Sequence, residues 1–173
     1  VNSINSNTLQ NAAVLYCGDL PADNLASLLR RYGMQLIRIE IHTNIPGSYW
    51  GDSEAGLIDM RLYARADTPV HSALHEACHY ICMDPQRRQH LDTDAGGGYE
   101  EENAVCYLQI LLSEQIEGMG KQRMFTDMDR WGYSFRLGSS QAWFEQDAAD
   151  ARQWLLDRAL IGPSNLPSWK LRQ

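Results

Sequence analysis

With 173 residues, 44% of them hydrophobic and 21% charged, the chain has the composition of one globular domain that can build a core without disulfides. Its formal net charge of −7 and pI near 5.1 exclude a phosphate-tracking nucleic-acid binder, because Lys and Arg are few and dispersed. No apolar run approaches the roughly 20 residues of a membrane span and no signal peptide is read ahead of the first polar segment, so the expected location is cytoplasmic, away from membranes.

Residues 1–13 are rich in Asn and Ser and read as a loose lead-in. Pro21-Ala22-Asp23 opens a helix to about Tyr32, with Leu25, Leu28 and Leu29 inward and Gly33 as its stop. Met34 to His42 alternates as a half-buried strand, with Ile37, Ile39 and Ile41 on one face. Asn44 to Ala55 holds Pro46, Gly47 and Gly51 and is a loop. Its Tyr49 and Trp50 either line a substrate cleft or cap the edge of the core.

Gly56 to Ala64 alternates again and reads as one strand, with Ile58, Met60, Leu62 and Ala64 inward. As an exposed edge strand it would pair with an extended peptide through main-chain hydrogen bonds. Thr68 and Pro69 supply a cap and a first-turn proline for a helix to about Met83, whose Val70, Leu74, Ala77 and Ile81 form a core-facing stripe.

That helix carries His75-Glu76-Ala77-Cys78-His79, an HExxH motif. Residues four apart share a helical face, so His75 and His79 can direct two imidazoles at one ion, with Glu76 at the edge of that face. Chance supplies such a pentapeptide on the order of once in a few hundred chains of this length, and a helix with a buried stripe behind an apolar strand makes chance the weaker explanation. Zn²⁺ is the expected metal: three protein ligands leave a position for water, whose pKa falls to roughly 7, and a neighbouring carboxylate takes its proton.

Asp84-Pro85 breaks the chain, and residues 86–98 are polar, ending in Gly96-Gly97-Gly98. A second helix runs from about Tyr99 to Ile116, opening on Glu100-Glu101-Glu102. Acids in a first turn are favoured by the helix dipole and need no function. Two histidines still lack a third protein ligand, and a carboxylate on a neighbouring helix is the usual supplier. Glu101 has the best face, because Ala104, Val105, Leu108 and Leu112 follow it at +3, +4, +7 and +11; Glu100 and Glu102 are the fallbacks, with Asp84 and Asp94 behind them.

His90 is too far along the loop to complete an HExxHxxGxxH pattern, which would need histidine where Pro85 stands. His71 is read as a first-turn surface residue, with a hydrogen bond behind the ligands as the other option. Residues 117–140, with four glycines among Trp131, Tyr133 and Phe135, read as irregular; Tyr133 is a candidate to steady an oxyanion. Ser139 and Ser140 cap a last helix to about Ile161, with Phe144, Ala148, Ala151, Leu155 and Ala159 as its stripe. The tail, 162–173, is read as extended and loose. Cys17, Cys78, Cys82 and Cys106 contain no CxxC pair and are expected as buried free thiols in a reducing compartment, with zinc on Cys78, Cys82 and Cys106 as the alternative.

The Gly-led strand, the HExxH helix and the second helix together resemble the zincin-like metallopeptidases, more closely the small gluzincins of the ImmA/IrrE family. That family's second helix reads E-x-x-A-[ND]-x-F-A-x-x-L-L, and Glu101-Glu102-Asn103-Ala104-Val105-Cys106-Tyr107-Leu108 with Leu111 and Leu112 is similar. Val105 stands where Asn or Asp is usual, and Cys78 where Gly is usual. The likeness covers roughly residues 56–116. It implies a single α+β zincin-like domain over residues 1–173, in which His75, His79 and Glu101 bind Zn²⁺, Glu76 is the general base, and a peptide or protein substrate is cleaved. The rival is a non-catalytic zincin-like binding or regulatory module.

Overall fold

In the computed structural model, which describes residues 13–173, Asp59 takes a left-handed backbone (φ 50°) and folds the expected 56–64 strand into a hairpin. Strand β2 (Gly56–Ile58) pairs antiparallel with β3 (Arg61–Arg65), placing Leu57 opposite Leu62. The turn resets the side-chain alternation, so Leu57 joins Leu62 and Ala64 in the core while Met60 is left 45% exposed. Strand β1 (Gln35–Ile39) runs parallel to the other edge of β3, giving a mixed sheet of order β1-β3-β2. Helix α1 (Asn24–Arg30) buries Leu25, Leu28 and Leu29 as its pattern requires, and Gly33 (φ 73°) closes it. Seven helices and this sheet make the fold of the described residues α+β. The expected lead-in, but for its last residue, lies outside the described residues.

Helix α2 (Val70–Cys82) carries the HExxH motif, and its Val70, Leu74, Ala77 and Ile81 are wholly buried. Burial of Val, Leu and Ile contributes about 1.5–3 kcal/mol each, which holds this helix against the sheet and its neighbours. Thr68 does not cap it: the hydroxyl accepts from the Arg65 amide, and Pro69 occupies the cap position in an extended conformation. Asp84 caps a short helix α3 (Pro85–Arg88) by accepting from the Arg87 amide at 2.9 Å. Helix α4 (Tyr99–Ser113) packs across α2 and is buried on nearly every side from Ala104 to Ser113.

The segment read as irregular contains helix α5 (Gly120–Trp131), which buries Met124, Phe125 and Met128 and ends at Gly132 (φ 100°). The glycines on either side of it obscured a stripe at 124, 125 and 128. The last predicted helix is two: α6 (Ser140–Gln146), capped by the Ser139 hydroxyl, and α7 (Ala149–Asp157). Ala159 has φ 53° and is exposed, so the stripe stops at Leu155. Residues 162–173 are anchored, and they are not extended throughout: a turn at 163–165 brings Ile161 and Pro167 into a bridge, and Asn165 and Trp169 have φ 59° and 61°. The Arg31 guanidinium lies 3.1 Å above the Trp169 ring, the Arg172 amide donates to the Ile81 carbonyl, and the Arg172 side chain reaches Glu101.

Candidate metal centre

His75 and His79 lie one turn apart on α2, with Nε2 atoms 3.1 Å from each other. Glu102, on the first turn of α4, brings Oε1 to 3.2 Å from His75 Nε2 and Oε2 to 3.3 Å from His79 Nε2. A tetrahedral zinc site with bonds of about 2.0–2.1 Å has ligand–ligand edges of about 3.3–3.4 Å. The two imidazole nitrogens lie near that spacing, and each faces a different oxygen of one carboxylate at a similar distance, a donor set that fits zinc. Among the described residues this is the group of His, Cys, Asp and Glu whose donor atoms gather so closely. Cys17, Cys78, Cys82 and Cys106 are buried free thiols, as expected, and the Cys78, Cys82 and Cys106 alternative forms no such group.

The carboxylate is not the one the sequence favoured. Glu101 is buried, and both its oxygens are taken: Arg87 donates to Oε1 at 2.5 Å and Arg172 to Oε2 at 3.0 Å. Glu100 is exposed. Helix α4 is buried almost all round, so its apolar residues do not mark a single inward face, and a shift of one residue turns a side chain by about 100°. A different stripe marks the face toward α2. Glu102, Cys106 and Gln109, at spacings of four and three, are the signal that would have found the ligand.

Gln109 is wholly buried behind His75. Its amide nitrogen donates to the His71 carbonyl at 2.9 Å, and a carbonyl can only accept, so the amide oxygen faces His75 Nδ1 at 3.1 Å. In the neutral ring Nδ1 therefore carries the proton and Nε2 offers its lone pair to an ion. With no ion bound, Tyr133, Cys106 and Glu102 overcome burial and raise the His75 pKa well above its ordinary value, so the ring is charged. Val105, where the resembled family has Asn or Asp, is buried and apolar; the polar contact comes from Gln109 instead.

Burial holds His79 down at about 4 and His71 at about 3, with His75 adding to both effects, so both rings are neutral at neutral pH. The Glu102 side chain is 48% exposed; its partial burial works against the carboxylate, but the hydrogen bond and charge of His75, with His79, outweigh it and keep its pKa below the ordinary value. Burial pushes Glu76 up to about 7 against the pull of His75, in the range where one group can both accept and return a proton.

The centre opens into a cleft of about 640 Å³ that Glu76, Glu102, Tyr133, Trp131 and Trp50 help to line. Tyr133 stands edge-on to His75, ring centres 5.7 Å apart, with its hydroxyl 3.4 Å from His71 Nδ1. His71 is not a surface residue. It is fully buried, with its ring against Trp131 and Tyr133. Tyr49 and Trp50 are exposed on the cleft rim rather than capping the core. Asp84 caps α3, His90 is exposed, and Asp94 lines the cleft outside the ligand group.

The outer edge of β2 is already paired. Thr93 donates to the Leu57 carbonyl, Asp59 to Leu91, and Leu57 to Gly47, each at 3.0–3.1 Å. The expected docking edge is thus filled by the chain itself. Gly56 permits this close approach, since a Cβ there would lie 1.9 Å from the Pro46 carbonyl oxygen.

Comparison with known proteins finds no matching family model, no matching curated protein and no matching solved structure.

Proposed function

We propose that this chain is a zinc-dependent peptidase. The observation that carries the reading is the mutual spacing of His75 Nε2, His79 Nε2 and the Glu102 carboxylate beside a buried Glu76 in one cleft. A bound Zn²⁺ would supply Lewis acidity toward a peptide carbonyl and lower the pKa of water. Glu76 accepts the proton of the attacking water and returns it to the departing amine. Its burial favours the neutral form enough that the return step is not strongly uphill. Gln109 holds His75 in its ligating tautomer, and Glu101 with Arg87 and Arg172 ties the first turn of α4 to α3 and the tail, keeping Glu102 in place.

Because Gly47 and residues 91–93 cover the β2 edge, the peptide is held by the cleft walls rather than by strand addition. No helix among the described residues is long and apolar enough to cross a membrane. The four free cysteines support a reducing compartment, and cytoplasm is the location we propose. The test is zinc content and affinity of the purified chain, followed by peptide-library hydrolysis with and without chelator. Zinc at far less than one equivalent after reconstitution would overturn the reading. Tight zinc without hydrolysis of any peptide would favour the non-catalytic module.

A further inference from the structure

The walls of the cleft say what it would hold. Among the described residues four carboxylates line it, Glu54, Glu76, Asp94 and Glu102, and no Lys or Arg does. The Arg87 guanidinium lies behind the lining, donating to the Ala95 carbonyl at 3.4 Å, with its charge offset by Asp84 at 2.8 Å and Glu101 at 2.5 Å. A divalent ion on the histidines offsets two charges, so the cleft stays negative whether or not Glu76 is protonated. Glu76 is 8% exposed and makes no hydrogen bond to a described residue, leaving its carboxyl free for what enters.

Aromatic rings share the lining with these acids. Tyr49 and Trp50 meet edge-to-face at 5.1 Å on the rim loop, and Trp50 is 76% exposed, so neither ring serves the core. Trp131, also in the lining, donates its indole N–H to Glu54 at 2.7 Å and rests on His71, which fixes the ring plane and holds the Glu54 carboxylate against it. Aromatic faces attract cations, and low-dielectric walls focus the field of the acids between them. Aromatic walls alone would also accept Phe or Leu; the carboxylates decide for a cation.

We infer that this cleft selects peptides carrying a Lys or Arg side chain next to the bond over the metal centre, with Glu54, Asp94, Trp50 and Trp131 as the selecting residues. The inference rests on the peptidase reading of the same site. The contact is non-covalent and weakens with ionic strength.

The experiment separates the two. Zinc-loaded Glu76→Gln protein is titrated calorimetrically with pentapeptides that differ only in a central lysine, glutamine, glutamate or phenylalanine. The same peptides are then offered to the parent for cleavage. The lysine peptide should bind about tenfold or more tighter than the glutamine and glutamate peptides, and adding Glu54→Gln and Asp94→Asn should shrink that ratio severalfold. Equal or tighter binding of the phenylalanine peptide, or no charge preference, overturns the inference even if the parent cleaves all four. A lysine preference in binding with no cleavage by the parent upholds it and overturns the peptidase reading. Absence of binding by every peptide overturns the inference, and absence of cleavage by the parent alongside it overturns the peptidase reading as well.

Discussion

Gln109 bridges two turns of α2, accepting from His75 Nδ1 at 3.1 Å while donating to the His71 carbonyl at 2.9 Å. The second bond orients the amide and the first fixes the tautomer of the ligand. Gln109→Leu keeps the volume but removes both partners. Zinc affinity should fall by about 10–100-fold, the usual cost of losing a partner behind a ligand. A competition titration against a chelating dye measures it. Unchanged affinity would mean the tautomer is set without Gln109.

Glu101 and Glu102 are adjacent in sequence and do different work. Glu102→Ala should weaken zinc binding on the order of 10²-fold or more, because two histidines remain. Glu101→Ala should cost about 1–3 kcal/mol of stability by removing the carboxylate that Arg87 and Arg172 share, both partly exposed, and should affect zinc only through the position of α4. Urea unfolding and zinc titration on both variants distinguish ligand from anchor. Zinc loss confined to Glu101→Ala would reverse the assignment.

Glu76→Gln preserves size and hydrogen-bonding shape but cannot take up a proton. Hydrolysis should drop by roughly 10² or more while zinc stays bound at parental affinity. Steady-state kinetics on a cleaved library peptide, with metal analysis of the same sample, is the check. Loss of zinc with the fold intact would make Glu76 a ligand or a support.

His71 makes stability depend on pH. Its ring is fully buried with Nε2 unpartnered, and burial lowers its pKa to about 3 against 6.5 for an exposed ring. The unfolded chain binds the proton first. The contribution is therefore complete above pH 6.5, declines as pH falls below it, and is lost by about pH 3. One such group accounts for about 1–2 kcal/mol between pH 7 and pH 5. His71→Phe retains a ring against Trp131 and Tyr133 and should flatten the stability–pH curve by that amount in denaturant titrations. A curve of unchanged slope would show that His71 is protonated in the folded state.

Much of the site was legible because it is local. His75, Glu76 and His79 lie within two turns of one helix, and helical geometry alone brings the two rings to one face; the leucines of α1 and the stripe of α2 follow from the same periodicity. The third ligand was not local. Residues 100–102 span the helix at about 100° steps, and which one meets the histidines depends on how α4 rolls against α2, a rotation set by packing on all its sides and by the grip of Arg87 and Arg172 on Glu101. The turn at Asp59, the pairing of residues 91–93 with β2, and the burial of His71 under Trp131 likewise join residues distant in sequence or conformations that periodicity does not encode. Spacing along the chain determined two candidate ligands and a candidate base; only tertiary contact decided which carboxylate faces the two histidines and the acidic, aromatic cleft into which they open.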